Sequence, residues 1–316
     1  MSEPAIMTRT VRIIAENLQF PEGPIAMPDG SVIVVEIKSG DLTRVDAKGK
    51  LTRVAHLGGG PNGAAIGPDG KCYVCNNGGF DWHVDPVVGT RPSAQAKNYS
   101  GGRIERVDLD TGKVEVLYDH GPNGPLSGPN DIVFDRHGGF WFSDIGKIRT
   151  RDMDRGGLYY ARADGSMIKE VSYPMVSPNG VGLSSDEKTL YVVESITARL
   201  WAFDLSAPGE IVRKPSPSPN GGTMLYAAPT FQAYDSLGLD SAGNVCIAAP
   251  LAGGIAVISP QGRALDFVMM PDIMTTNICF GGPKLRTAYI TLSGTGRLGA
   301  MEWPRPGLPL NYLNTR

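Results

Sequence analysis

Short apolar runs in this chain alternate with polar residues at a period of two and come in pairs joined by turn residues. The stretch "EGPIAMPDGSVIVVE", from residue 22, is one such pair: an apolar run, a Pro-Asp-Gly turn and a second run rich in Val and Ile. The pattern predicts a β-hairpin, because successive side chains on a strand point to opposite faces and Pro, Asp and Gly favour a tight reversal. It returns in "NGAAIGPDGKCYVCN" from 62, "NDIVFDRHGGFWFSD" from 130, "NGVGLSSDEKTLYVVE" from 179, "DSLGLDSAGNVCIAA" from 235 and "TNICFGGPKLRTAYIT" from 276.

A second alternating pair usually follows, as in "GDLTRVDAKGKLTRVAHL", "GGRIERVDLDTGKVEVLY" and "GGLYYARADGSMIKEV", so each repeat supplies four strands. Successive repeat heads lie 40, 68, 49, 56 and 41 residues apart. The shortest spacings match the roughly 40–50 residues of one four-stranded propeller blade. Six repeats therefore predict an all-β chain: a six-bladed β-propeller with four antiparallel strands per blade, one domain over 1–316 with its core at about 12–303. No stretch combines helical periodicity with caps, which argues against doubly wound α/β and solenoid folds. The segment "VRIIAEN" (11–17) has no hairpin partner of its own. It is expected to complete the last blade beside "RLGAMEW" (297–303) and so remove the exposed edges of an open ring.

In such a blade the start of the innermost strand, the loop between strands two and three and the link to the next blade share one face. Two long insertions, 78–102 between strands two and three of blade 2 and 214–234 leading into blade 5, fall on that face with the repeat heads. Long loops gathered at one end of a rigid scaffold build and cover binding sites, so both are expected to be lid-like.

Composition narrows the partner rather than the fold. Thirty Lys and Arg against 32 Asp and Glu leave a net charge of −2, and no basic cluster marks a nucleic acid or anionic membrane surface. No apolar window reaches the ~18 residues of a membrane span and the first residues lack a signal-peptide core, so a soluble, cytoplasmic protein is expected. Cys72, Cys75, Cys246 and Cys279 are too few and scattered for a disulfide framework. The C-x-x-C spacing of the first two, on one strand, turns them to opposite faces. "GTGRLG" (294–299) mimics a dinucleotide fingerprint, but Pro304 and Pro306 deny it the helix that fingerprint needs. Nucleophile-elbow, P-loop and zincin motifs are absent from the sequence.

The heads themselves carry the chemistry. Glu22, Asn62, Asn130, Asn179, Asp235 and Thr276 are all oxygen donors at the inner end of an innermost strand, so they converge on the propeller axis. A ring of carboxylate and amide oxygens without His or Cys suits a hard cation such as Ca²⁺. Glu22 and Asp235 facing one channel would otherwise repel.

The stretches "FPEGP", "GPND", "SPNGVGLSSDEKTLYVVES", "YDSLGLDSAGNVCIA" and "TNICFGGPKLRTAYIT" resemble the gluconolactonase / senescence marker protein / luciferin-regenerating enzyme family, and the likeness runs from about residue 12 to 303. The resemblance implies a six-bladed propeller with one divalent cation held by Glu22, Asn130, Asn179 and Asp235. It also implies hydrolysis of a lactone with Ca²⁺, or with Zn²⁺, Mg²⁺, Mn²⁺ or Fe²⁺. One position departs: Gly128 stands where some sugar-lactone members carry Arg two residues before the second ligand.

The mechanism expected on that site is polarisation of the lactone carbonyl at the cation, with Asp235 acting on water as general base or, alternatively, attacking directly. Asn62 and Thr276 are expected to contact substrate or support the ligands, with Trp82 and His83 reaching it from the blade 2 insertion. Phe80, Trp82, Tyr99, Met224, Leu225, Tyr226, Phe231 and Tyr234 lie in the insertions and make a less polar or bulkier lactone as plausible as a sugar lactone. Two rivals remain on sequence grounds: a calcium-dependent phosphotriesterase like diisopropylfluorophosphatase, and a non-enzymatic propeller with a structural metal.

Overall fold

The structure is a computed structural model that describes residues 10–315. Six antiparallel sheets stand around one axis as a six-bladed β-propeller, and no α-helix occurs among the described residues. The innermost strands are Pro21–Ala26, Pro61–Ile66, Pro129–Phe134, Pro178–Leu183, Leu237–Leu239 and Thr275–Gly281. Arg12–Ala15 pairs with Arg297–Glu302 as the outermost strand of blade 6, so the ring closes between the two ends of the chain as the sequence predicts. No helix of the described residues is long and apolar enough to cross a membrane.

The core is divided among the spaces between neighbouring blades. On Cys72–Asn76, Cys72 and Val74 pack towards blade 1 with Ile33, Val35 and Leu42. Tyr73 and Cys75 pack towards blade 3 with Ile132, Phe134 and Phe140. The period-two pattern thus serves two clusters at once, which is why these strands read as continuously apolar. Burying a Val, Ile, Leu or Phe side chain there contributes about 1.5–3 kcal/mol. Cys72 and Cys75 sit in different clusters and share no site.

Five of the six innermost strands break their regular pairing at the repeat head. The register shifts between Glu22 and Ile25, Pro61 and Ala64, Pro129 and Ile132, Pro178 and Val181, and Thr275 and Asn277. A bulge of this kind bends the strand and re-aims one side chain. In blades 1 to 4 it leaves the heads Glu22, Asn62, Asn130 and Asn179 lining the cavity at the axis. Gly23 makes the turn possible: its φ is +49°, and a Cβ there would meet the Asn62 carbonyl oxygen at 2.5 Å.

The insertion at 78–102 forms a hairpin of its own, Phe80–Asp85 paired with Gly89–Gln95. The segment 214–234 differs from the sequence reading. Thr223–Ala227 pairs with Arg199–Ala202, and Glu210–Ile211 pairs with the far end of the same strand. The outermost strand of blade 4 is thus interrupted, and the Pro-rich stretch "KPSPSPN", poor in N–H donors, lies between the two pieces. Only the end of the segment reaches the cavity at the axis, through Ala233 and Tyr234.

Beyond Trp303 the chain crosses the opposite end of the central channel. Leu308 N–H donates to the Leu239 carbonyl at 2.8 Å, and the Asn311 amide donates to the Phe134 carbonyl at 3.0 Å and to Glu187 at 2.6 Å. The enclosed channel space of about 100 Å³ is lined by Ile25, Ile66, Phe134, Phe280, Leu308 and Leu313, among others.

Candidate active site

Five of the six heads, Glu22, Asn62, Asn130, Asn179 and Asp235, line one cavity of about 250 Å³ at the axis. Glu22, Asn130 and Asn179 are buried, and Asp235 is partly open to the cavity. Glu22 Oε2 accepts from its neighbour Gly23 N–H at 2.8 Å and from Asn277 Nδ2 at 2.7 Å, which leaves Oε1 buried without a partner. Asn179 Nδ2 donates to Ser195 Oγ at 3.0 Å, and its Oδ1 is likewise buried and unpartnered. Asn130 Oδ1 is the third such oxygen. Leaving a buried acceptor unpaired costs about 1–3 kcal/mol, so three in one cavity indicate a missing positive partner.

The electrostatics point the same way. Burial raises the Glu22 carboxyl above its ordinary value, against the Asn277 and Gly23 hydrogen bonds that lower it. Burial also pushes Asp235 well above the usual carboxylate range, reinforced by the Glu22 and Asp131 charges. Asp131, next to the Asn130 head, is pushed up to about 7 by burial and by Glu22. Converging acids of this kind are relieved by a proton or a cation.

The donor set fits a hard divalent cation: two carboxylates and two amide oxygens, with three of those oxygens free. Among the described residues no cluster of three or more His, Cys, Asp or Glu side chains is gathered for a metal, because half of this set is Asn. The absence of nitrogen and sulfur donors disfavours a structural zinc site.

The other expected site residues fall outside the cavity wall. Thr276 Oγ1 bonds Thr291 Oγ1 at 2.9 Å and Ser293 Oγ at 2.5 Å, in a hydroxyl cluster behind Glu22. Trp82 packs on Phe20 with ring centroids 5.0 Å apart and seats the hairpin on the propeller. His83 is exposed on the hairpin. Met224 and Phe231 are also exposed, whereas Phe80 and Tyr234 do line the cavity.

Sequence reasoning missed the remaining wall. Phe20, Ile37, Ile145, Pro250, Leu251 and Met274 line it from segments whose direction no repeat encodes, and Arg91 and Pro92 from the second strand of the blade 2 hairpin. It also missed Lys147, which is buried beneath the hairpin root. Lys147 Nζ donates to the Asn77 and Gly79 carbonyls, both at 2.8 Å, and lies 4.0 Å from the Phe80 ring centroid. Burial pulls this amine down to about 7, while Asp144 and Asp154 act in the opposite direction.

Comparison with known proteins gives the family and the fold. Residues 20–294 match the SMP-30/Gluconolactonase/LRE-like region. The chain belongs to that family. This SMP-30/gluconolactonase family member is 29% identical over 279 residues to lactonase drp35 of Staphylococcus haemolyticus, covering 86% of the chain and 77% of that relative. It is 26% identical over 320 residues to gluconolactonase of Zymomonas mobilis, covering 90% and 79%. Among solved structures it shares the fold of regucalcin, a calcium-binding protein of Agrobacterium tumefaciens, with a TM-score of 0.72 at 18% identity over 96% of the chain and 98% of that structure.

Proposed function

We propose that the protein is a metal-dependent lactone hydrolase that opens the ring to the hydroxy acid. The observation that carries this reading is the trio of buried, unpartnered oxygens on Glu22, Asn130 and Asn179, beside Asp235 in one cavity. Membership in a family whose relatives include a lactonase and a gluconolactonase supports the reaction class. Glu22, Asn130, Asn179 and Asp235 hold the cation, with Ca²⁺ favoured by an all-oxygen donor set and Zn²⁺, Mg²⁺, Mn²⁺ or Fe²⁺ as alternatives. When bound, such a cation polarises the ring carbonyl and stabilises the developing oxyanion.

The chain's own residues then divide the work. Asp235, the carboxylate open to the cavity, accepts the proton of the attacking water and returns it to the ring oxygen as the acyl C–O bond breaks. Glu22 is held as the charge-balancing ligand by Asn277 and Gly23. Asn62 offers a neutral contact to substrate from the cavity wall. The hairpin Phe80–Gln95 forms part of the rim and limits water around the bound ring.

Elemental analysis of the purified protein, followed by pH-indicator assays on sugar, aliphatic and aromatic lactones and on an organophosphate with metals added back, tests the reading. Asp235→Asn is expected to lower kcat by at least about 10²-fold while retaining some metal, and Glu22→Gln to weaken metal affinity first. Full turnover by Asp235→Asn removes Asp235 from its role, and hydrolysis of the organophosphate alone replaces the lactonase reading.

A further inference from the structure

Leu251 sits in the loop between Val245–Ala249 and Gly254–Ile258, the second and third strands of blade 5, on the face that carries the heads. Its φ is +70°, a conformation that glycine adopts without strain and a branched aliphatic side chain does not. The backbone there is fixed by the Leu251 N–H, which donates to the Ile273 carbonyl at 2.8 Å. Glycine would make that bond equally well. The leucine side chain does little for the core, since 41% of the residue is exposed. What it does is line the cavity that holds Glu22 and Asp235.

Phe20 is a second such residue, at the start of blade 1 on the other flank of blade 6, where it is buried with Ile37 and Met274. It directly precedes the strand that carries Glu22, has a φ of +56° and lines the same cavity. Of the non-glycine residues with positive φ among those described, the two that line the cavity are both large and apolar. Strain retained in this way at a binding surface points to a role for the side chain. The rest of the wall matches: Ile37, Phe80, Tyr234, Pro250 and Met274 are apolar or aromatic. Beyond the proposed ligands the polar side chains of the wall are Asn62, Arg91 and Ser195, and Ser195 Oγ is taken by Asn179. A polyhydroxylated ring would lose water at several hydroxyls and find few partners.

We infer that Leu251, with Phe20 on the same cavity wall, is a specificity-determining residue that packs on the non-reacting part of the substrate and selects lactones bearing an alkyl or aryl group over polyhydroxylated ones. The inference rests on the lactonase reading for its substrate but not for its binding surface. Leu251→Gly is the informative variant, because it removes the side chain and relieves the backbone. Phe20→Leu is the companion that keeps some packing against Trp82.

The Ca²⁺-loaded full-length enzyme is assayed on an aryl-fused lactone and on glucono-δ-lactone, and binding of the matching aryl-fused cyclic ketone, which cannot be hydrolysed, is measured by calorimetry. Wild type is expected to prefer the aryl-fused lactone. In Leu251→Gly that preference is expected to fall about tenfold or more through KM, with weaker ketone binding and an unchanged or higher melting temperature. An unchanged preference and unchanged ketone binding in both variants overturns the inference while leaving the hydrolase intact. Weakened ketone binding in a protein that opens no lactone supports the surface and overturns the lactonase reading instead.

Discussion

Glu22 is competent as a ligand because of the residue that follows the blade 6 head. Asn277 donates to Glu22 Oε2 at 2.7 Å, while its own Oδ1 accepts the Ile278 N–H at 2.7 Å, so the amide is locked in one orientation. Partners of this kind behind a ligand are worth about 10–100-fold in metal affinity. Asn277→Ala is therefore expected to weaken Ca²⁺ binding by that order in a calorimetric titration, with kcat at saturating Ca²⁺ little changed; unaltered affinity would dismiss the role. The five heads that line the cavity were legible because each repeat places an oxygen donor at the same offset before its turn. Asn277 was not, since alignment fixes the head at Thr276 and does not reveal that the bulge turns the next residue inwards. Nor does any pattern of apolar and polar residues reveal the positive φ of Phe20 and Leu251, which is a backbone property imposed by the tertiary fold.

The blade 2 hairpin is an element held at its root by a buried amine and on its face by Trp82 packing on Phe20. Lys147 ties the Asn77 and Gly79 carbonyls, at the root of Phe80–Asp85, to the loop of blade 3 that follows Gly139–Asp144. The charged groups facing it are Asp144 and Asp154, with the Tyr99 and Phe80 rings on its apolar side. With its folded value near 7 and its ordinary value at 10.5, the unfolded chain carries a proton between those limits that the folded chain does not. Stability therefore gains a contribution that rises with pH across that window, and the neutral amine still has two N–H donors for the two carbonyls. Lys147→Met is expected to flatten this rise when melting temperatures are compared from pH 6 to 10, and to speed protease cleavage within 80–95; parallel pH curves would refute it. The insertion was visible in the sequence as excess length between strands. The interrupted strand of blade 4 was not, because Thr223–Ala227 follows a Pro-rich detour that separates it from its pairing partner.

At the scale of the whole molecule the ring is closed twice. The first closure, Arg12–Ala15 on Arg297–Glu302, was legible because the strand has no local partner and the sheet edge needs one. The second was not legible: residues 304–315 follow the last blade, show no alternation, and lie outside the core of about 12–303 that the repeats predict. Their role comes from contacts with several blades, through Leu308 to blade 5, Asn311 to blades 3 and 4, Tyr312 on Phe134 and Leu313 against the cluster shared by blades 1 and 2. This plug shuts the apolar channel at the end opposite Glu22 and Asp235. A chain ending at Trp303 would open Ile25, Ile66 and Phe280 to water and lose the burial of Leu308, Tyr312 and Leu313, a loss of roughly 2–4 kcal/mol for three partly buried side chains. Its denaturation midpoint is expected to fall accordingly, with new binding of an apolar dye. Its Ca²⁺ affinity should stay within about twofold of wild type, because all four proposed ligands and Asn277 hang from strand starts at the far end and a twofold change is only about 0.4 kcal/mol. Unfolding at the wild-type midpoint would show that the blades hold the channel closed without the plug. A collapse of Ca²⁺ affinity in a still folded chain would show that the two ends are coupled through the innermost strands.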